Sequence, residues 1–158
     1  MRVRCRTNRA ADLTTAWAVG LGDGDYPRLT PGWEYVVYAL EWSEGVPGYI
    51  LCDDDYWLYP MHYPAELFDI TDPRPSRHWV VGFHPARPWG ETRRVPPEVV
   101  VGFPEWVADW GFRYWLTESR EPELSTWRRF KLLLDAEARG AGMESQDAEP
   151  GAAPDTAI

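Results

Sequence analysis

The first hundred residues carry the period-two alternation and the short apolar runs that are typical of β-strands. Val3 and Cys5 alternate with three arginines in residues 2–6, which predicts a strand with one apolar face. "YPAELFDITD", residues 63–72, predicts one helical turn and then a short strand. Runs of β-branched and aromatic residues between Gly, Pro or Asp turns predict further strands at residues 33–42, 48–53, 56–60, 78–84 and 96–103. Strands at about ten-residue spacing predict a small antiparallel sheet or barrel.

From residue 103 onward the apolar residues follow helical spacing instead. Pro104 suits a first helical turn and Gly111 interrupts the pattern, so two short helices are predicted within residues 103–119. Another helix is predicted over residues 125–140, with Gly140 as its stop. Its buried face is predicted from apolar residues at spacings of three, four and four: Trp127, Phe130, Leu134 and Ala138.

These patterns together predict an α+β protein with one globular domain. A chain of 158 residues fits a single core. The domain is placed at residues 1–140, with the sheet over about 1–102 and the helices over about 103–139. Residues 141–158 contain almost no bulky apolar side chain and carry four acids without a base, which predicts a disordered acidic tail.

Composition and charge narrow the function classes. The net charge of −9 makes nucleic acid a poor partner and a basic protein a better one, because an acidic surface repels phosphate backbones. No run of about twenty apolar residues predicts a membrane span, and the basic start lacks the apolar core of a signal peptide. Cys5 and Cys52 fit reduced thiols of a cytoplasmic protein, although a bridge between them stays open if their strands are neighbours.

The densest polar cluster is "CDDDYWLYPMHYP", residues 52–64. Asp53, Asp54, Asp55 and His62 are candidate metal ligands, which gives one alternative, a small metal-dependent hydrolase. Adjacent residues of an extended chain point to opposite faces, however, so three consecutive carboxylates do not converge on one ion. Aspartates are also common at hairpin tips, where they accept backbone hydrogen bonds. The favoured interpretation is therefore a turn without a bound metal.

Nucleophilic catalysis is the second candidate chemistry. Cys52 together with His62 or His78 would supply a thiol and a base. Cys52 follows two apolar residues, as a buried thiol does, and neighbouring carboxylates raise the pKa of a thiol and oppose its activation. The chain has no GxSxG, P-loop or GxGxxG motif. We therefore predict a protein that is not an enzyme and needs no cofactor.

The aromatic residues after the aspartates suggest a surface. A strand over residues 56–60 would place one part of them in the core and leave the other part half exposed. Base stacking by such rings needs a cationic track, and the flanking charges here are acidic. The third alternative, a barrel that binds RNA or a small ligand, would need a concave pocket lined by exposed tyrosines. Carboxylates beside aromatic rings suit the capture of a cationic protein instead, and the predicted contact residues are Asp53, Asp54, Asp55, Trp57 and His62.

The segment "DPRPSRHW", residues 72–79, offers possible partners for the acids. Arg74 and Arg77 either pair with the three aspartates, which would make these acids structural, or remain exposed. Trp79 is predicted to enter the core together with Val81.

Several stretches together resemble a family of small bacterial proteins. They are "GWEYVVYAL" (32–40), residues 49–79, "FPEWVADWGFRYWLTE" (103–118) and "STWRRFKLLLDAE" (125–137). The β region looks like an SH3-like barrel. The resemblance implies an immunity protein, which would bind and block a toxin domain made by the same cell. It supplies no catalytic residues, and the Pro- and Arg-rich segment 84–98 departs from the family pattern.

Overall fold

Eight strands and three α-helices lie in the residues that the computed structural model describes, which are 1–14, 24–43, 45–84, 99–109 and 111–144. The strands are β1 Arg2–Cys5, β2 Glu34–Val36, β3 Ala39–Ser43, β4 Val46–Leu51, β5 Met61–Pro64, β6 Phe68–Asp72, β7 Val80–Phe83 and β8 Val99–Gly102. The helices are α1 Pro104–Ala108, α2 Phe112–Thr117 and α3 Glu121–Glu144. Short 3₁₀ turns cover Ala10–Asp12 and Ala65–Leu67.

The strands form two open antiparallel sheets, in the orders β2-β1-β6 and β5-β4-β3-β8-β7. The predicted α+β class is therefore confirmed, whereas the described strands do not close into the predicted barrel. Residues 33–42, which were predicted as one strand, are divided between the two sheets. The Val37 N–H donates to Met1 while the Tyr38 N–H donates to Ile50, so neighbouring residues bond to different sheets. The chain crosses here from the smaller sheet to the larger one.

The five-stranded sheet is the middle layer of three. Tyr49 and Leu51 of β4 face the small sheet and join one apolar cluster, while Ile50 faces the helices and joins another. Alternate residues of β4 thus pack into two different cores, because successive side chains of a β-strand point to opposite faces of the sheet. The cluster under the helices includes Ala39, Phe103, Trp106, Phe112, Leu116, Trp127, Phe130 and Leu134.

Residues 56–60 do not form the predicted strand. The Tyr59 N–H donates to the Tyr56 carbonyl at 3.3 Å, which closes a turn, and the strand begins only at Met61. An aspartate causes this difference, because Asp53 accepts the backbone N–H of Asp55 and of Tyr56 and reverses the chain. The aromatic composition favours a strand, but the backbone hydrogen bonds give a loop.

The helical region largely follows its pattern. Helices α1 and α2 confirm the two short helices, and the predicted buried face of α3 is buried. Helix α3 begins at Glu121 and continues through Gly140 to Glu144, so the predicted start and the predicted stop at Gly140 are wrong. Residues 141–144 of the predicted tail are therefore helical, and its remainder, residues 145–158, lies outside the described residues.

Candidate functional site

The three consecutive aspartates point in three directions, and the first of them is internal. Asp53 is only 3% exposed. Its Oδ1 accepts the N–H groups of Asp55 at 3.1 Å and of Tyr56 at 2.7 Å, and its Oδ2 accepts the Tyr63 hydroxyl. Each carboxylate oxygen therefore has a protein donor, as a buried acid requires. Asp53 holds the turn and does not present its side chain to a partner.

The other two aspartates lie at the surface. Asp54 accepts hydrogen bonds from the Thr30 hydroxyl at 2.7 Å and from the Tyr35 hydroxyl at 2.8 Å. Asp55 forms an ion pair with the Arg28 Nε at 3.4 Å. These contacts join the turn to Tyr35 of β2 and to the segment before β2. The partners lie 19 or more residues upstream, so the aspartates alone gave no signal for them.

The arginines predicted as partners of this cluster bind other acids. Arg74 pairs with Asp72 through its Nε at 2.9 Å, and Arg77 lies 4.0 Å from Glu137. The two arginine side chains are 48% and 77% exposed, so of the two alternatives that the sequence left open, the one in which the arginines remain exposed agrees better with the structure. Arg74 pairs with a residue two positions before it, and Arg77 lies close to helix α3 because residues 72–79 run along the end of that helix.

His62 is not part of the aspartate cluster. It follows the alternation of β5, so it points toward the helices, whereas Tyr63, the partner of Asp53, points toward the small sheet. Burial, together with the positive charge of Arg113, lowers the pKa of His62 to about 3. His62 is therefore a neutral, half-buried side chain at physiological pH.

The His62 ring occupies the space above Gly48 on the neighbouring strand. A Cβ at Gly48 would lie 1.9 Å from the His62 Nε2, so Gly48→Ala forces the half-buried ring to move. We expect this substitution to lower the free energy of unfolding by about 2 kcal/mol, measured by urea denaturation. In a His62→Ala background the same change is expected to cost under about 0.5 kcal/mol, because the clash is gone.

Gly24→Ala is the matched control for this pair, since a Cβ at Gly24 meets no atom within 4 Å. An equal cost of Gly48→Ala in both backgrounds would mean that the ring is not the obstacle.

Cys52 is placed unfavourably for nucleophilic chemistry. Burial raises the pKa of its thiol to about 12, although the positive charge of Lys131 opposes this shift. The carboxylates of Asp135 and Asp53 raise the pKa as well, as the sequence led us to expect. Cys5 and Cys52 are both free thiols, so the bridge that the sequence left open is not formed.

The turn ends in an exposed loop, residues 54–58, which we call the tip. Its three apolar side chains are consecutive, and Tyr56, Trp57 and Leu58 are 43%, 65% and 43% exposed. The Arg28 guanidinium stacks over the Tyr56 ring at 4.4 Å. On the inner side the Trp127 indole N–H donates to the Leu58 carbonyl at 2.5 Å, so helix α3 anchors the tip.

Besides Asp53, another carboxylate is buried, this one beneath the helices, and the sequence did not indicate it. Glu41 of β3 accepts the Trp106 indole N–H at 2.9 Å. Burial raises the pKa of Glu41, and the positive charge of Arg113 and the hydrogen bond from Trp106 oppose the shift. A single acid in an apolar strand is not distinctive in sequence, since its partners come from elements more than forty residues away.

The rest of the described surface does not provide the concave tyrosine-lined pocket or the metal site that the alternative functions need. A cavity of about 320 Å³ lies between β6 and α3, and Asp72, Arg74, Arg77 and Glu137 line it, but no tyrosine does. Within the described ranges, no three His, Cys, Asp or Glu side chains are grouped so that they could hold a metal ion.

Trp79 is half-buried against both cores, whereas Val81 is exposed, so the predicted burial of Val81 is wrong.

No helix in the described part of the chain is long and apolar enough to cross a membrane. Comparisons of the chain with protein-family models, curated proteins and solved structures gave no match. The resemblance to the family of small bacterial proteins therefore stays a prediction.

Proposed function

We propose that this chain is a non-catalytic protein-binding module, an immunity protein that binds and blocks a basic toxin domain of the same cell. One observation carries the proposal: three consecutive large apolar side chains, Tyr56, Trp57 and Leu58, are exposed on a loop held from both sides. Clustered exposed aromatic side chains mark interaction surfaces more often than isolated ones do.

The way the tip is held supports binding. Asp53 fixes its backbone from within, Trp127 holds the Leu58 carbonyl, and Arg28 covers one face of the Tyr56 ring. A loop that is already ordered loses little conformational entropy when it meets a partner, so more of the contact energy appears as affinity. Trp57, the most exposed of the three side chains, is the expected anchor.

The charge of the protein supports a cationic partner. The chain carries a net charge of −9, and Asp54 and Asp55 flank the aromatic residues at the surface. Arg28 offsets part of the Asp55 charge, so the rings are expected to supply most of the affinity. The overall negative charge accelerates encounter and makes the association rate fall with added salt. Of the five predicted contact residues, we keep Asp54, Asp55 and Trp57 as contacts and assign Asp53 and His62 to internal support.

The alternatives find less support in the same contacts. A hydrolase built on Asp54 or Asp55 with His62 needs these side chains to converge, yet the aspartates bond to Thr30 and Arg28 while His62 points under the helices. A barrel that binds RNA or a small ligand needs a concave site, whereas Tyr56 belongs to a convex tip.

Replacing Trp57 with alanine tests the proposal. We expect affinity for the basic toxin domain encoded beside the gene to fall about 30-fold or more, the loss typical of an interface anchor. The fall is measured by isothermal titration calorimetry with the purified pair, and growth rescue by co-expression should be lost in parallel. The melting temperature should stay unchanged because the ring is exposed and outside both cores.

Trp33→Ala is the matched control, since Trp33 is an exposed tryptophan outside the tip. If both variants bind and rescue like the original protein, or if no basic partner binds, the proposal is wrong.

A further inference from the structure

One face of the five-stranded sheet carries apolar side chains that extend from the part packed against the small sheet to the exposed edge strand β7. Strands β3, β8 and β7 pair in register, so cross-strand partners point to the same face. One row contains Val81, Val101 and Leu40, and the next contains Phe83, Val99 and Trp42. We call these six side chains the β7 face.

The packing on the two sides of the sheet shows which way the side chains of the β7 face point. Gly82 points toward helix α1, since a Cβ there would lie 2.3 Å from the Val107 Cγ1, and Val81 and Phe83 therefore point the other way. On the same side, Tyr49 and Tyr63 are buried against the small sheet. The small sheet thus covers β4 and β5, while Val81 and Phe83 are 57% and 79% exposed.

The edge of β7 also differs from the other strand edges in the described sheets. Edge strands normally carry charges or prolines that prevent pairing with another chain. Strand β2 has Glu34, β6 has Asp69 and Asp72, and β5 follows Pro60 and ends at Pro64. The sequence of β7, "VVGF", contains neither a charge nor a proline. Nothing in β7 itself opposes the addition of a strand.

We propose that a second copy of this chain binds here, with the two β7 strands paired antiparallel across a twofold axis. Such an interface is self-complementary, so each copy would complete the sheet edge and continue the apolar face of the other. The absence of charge in β7 favours a second copy over a basic partner, since that partner would find no acid in the strand. The residual repulsion between acidic copies is long-range and is screened at physiological salt.

This surface is independent of the tip. The tip follows β4, and strands β3 and β8 separate β4 from β7. The dimer and the proposed partner complex can therefore form or fail separately, and Trp57→Ala should leave the oligomeric state unchanged.

Sedimentation equilibrium of the full chain at 0.15 M salt tests the inference over a range of protein concentrations. The unmodified chain is expected to dimerise, and Val81→Lys is expected to raise the dimer dissociation constant at least about 100-fold, because like charges would meet across the axis. Phe83→Ser is a second variant, and both side chains are exposed enough for the far-ultraviolet circular dichroism spectrum, which reports the fold, to stay unchanged. The melting temperature should fall only by the stabilisation that dimer formation contributes.

Leu132→Lys is the matched control, since Leu132 is an exposed leucine of α3, and this variant should remain dimeric. A chain that stays monomeric at all concentrations overturns the inference. The face would then be covered by another part of the chain or by a different protein. A dimer that survives both Val81→Lys and Phe83→Ser overturns it too.

Discussion

Replacing Trp127 with alanine is expected to lower the free energy of unfolding by about 4 kcal/mol, as loss of a fully buried tryptophan does. Trp127 lies at the centre of the helix-side core, where its ring meets Tyr38 edge-on at a centroid distance of 4.9 Å and Trp106 at 6.2 Å. The substitution leaves a cavity between α3 and the sheet and also removes the donor for the Leu58 carbonyl. Urea denaturation followed by far-ultraviolet circular dichroism measures the loss.

Trp127→Phe separates the two roles of this side chain. Phenylalanine keeps most of the buried ring but has no N–H, so the expected loss of stability is smaller, about 1–2 kcal/mol. The tip should nevertheless be less well held, so proteolysis within residues 54–58 should accelerate and toxin affinity should fall although Trp57 is intact. If Trp127→Phe matches the original protein in all three measurements, the indole hydrogen bond does not anchor the tip.

Replacing Asp53 with alanine is the second large effect that the structure predicts. The change leaves the Tyr63 hydroxyl and the N–H groups of Asp55 and Tyr56 without their acceptor. Buried polar groups that lose their partner cost about 1–3 kcal/mol each, and some of these regain water, so a total loss of about 3 kcal/mol is expected. Chemical denaturation at neutral pH provides the measurement.

Asp55→Ala is the matched control for this variant, because it removes a neighbouring carboxylate that is exposed. Its ion pair with Arg28 lies at the surface, where such pairs contribute under about 1 kcal/mol. The two adjacent substitutions should therefore differ by about 2 kcal/mol or more. Equal effects would mean that Asp53 is not the internal support of the turn.

The sequence was sufficient wherever one periodicity dominated a segment. Alternation at Val3 and Cys5 located β1, and the spacing of Trp127, Phe130 and Leu134 identified the buried face of α3. Helix ends were less predictable. Gly140 disfavours a helix by only about 1 kcal/mol, so the favourable residues around it carried α3 through to Glu144.

The sequence was insufficient where contacts between distant residues determine whether a segment forms a strand or a loop, and which way a side chain points. The segment "YWLYP" has strand composition, but Asp53 turns the chain and Trp127, 69 residues further on, holds the Leu58 carbonyl. His62 seemed a partner for the aspartates because it is close in sequence. Its strand register turned it toward the helices, where the absence of a side chain at Gly48 leaves space for the ring.

Local sequence patterns were enough to predict the α+β class, most strands, both short helices and the divergence of the three aspartates. These features depend on residues within about ten positions of one another, so alternation, helical spacing and turn chemistry specify them. The packing of distant segments set the remaining features: residues 33–42 belong to two sheets, Asp53 is buried while Trp57 is exposed, and Val81 and Phe83 stay exposed. Those outcomes depend on which segments pack together, because burial is a property of the assembled layers and not of a local pattern.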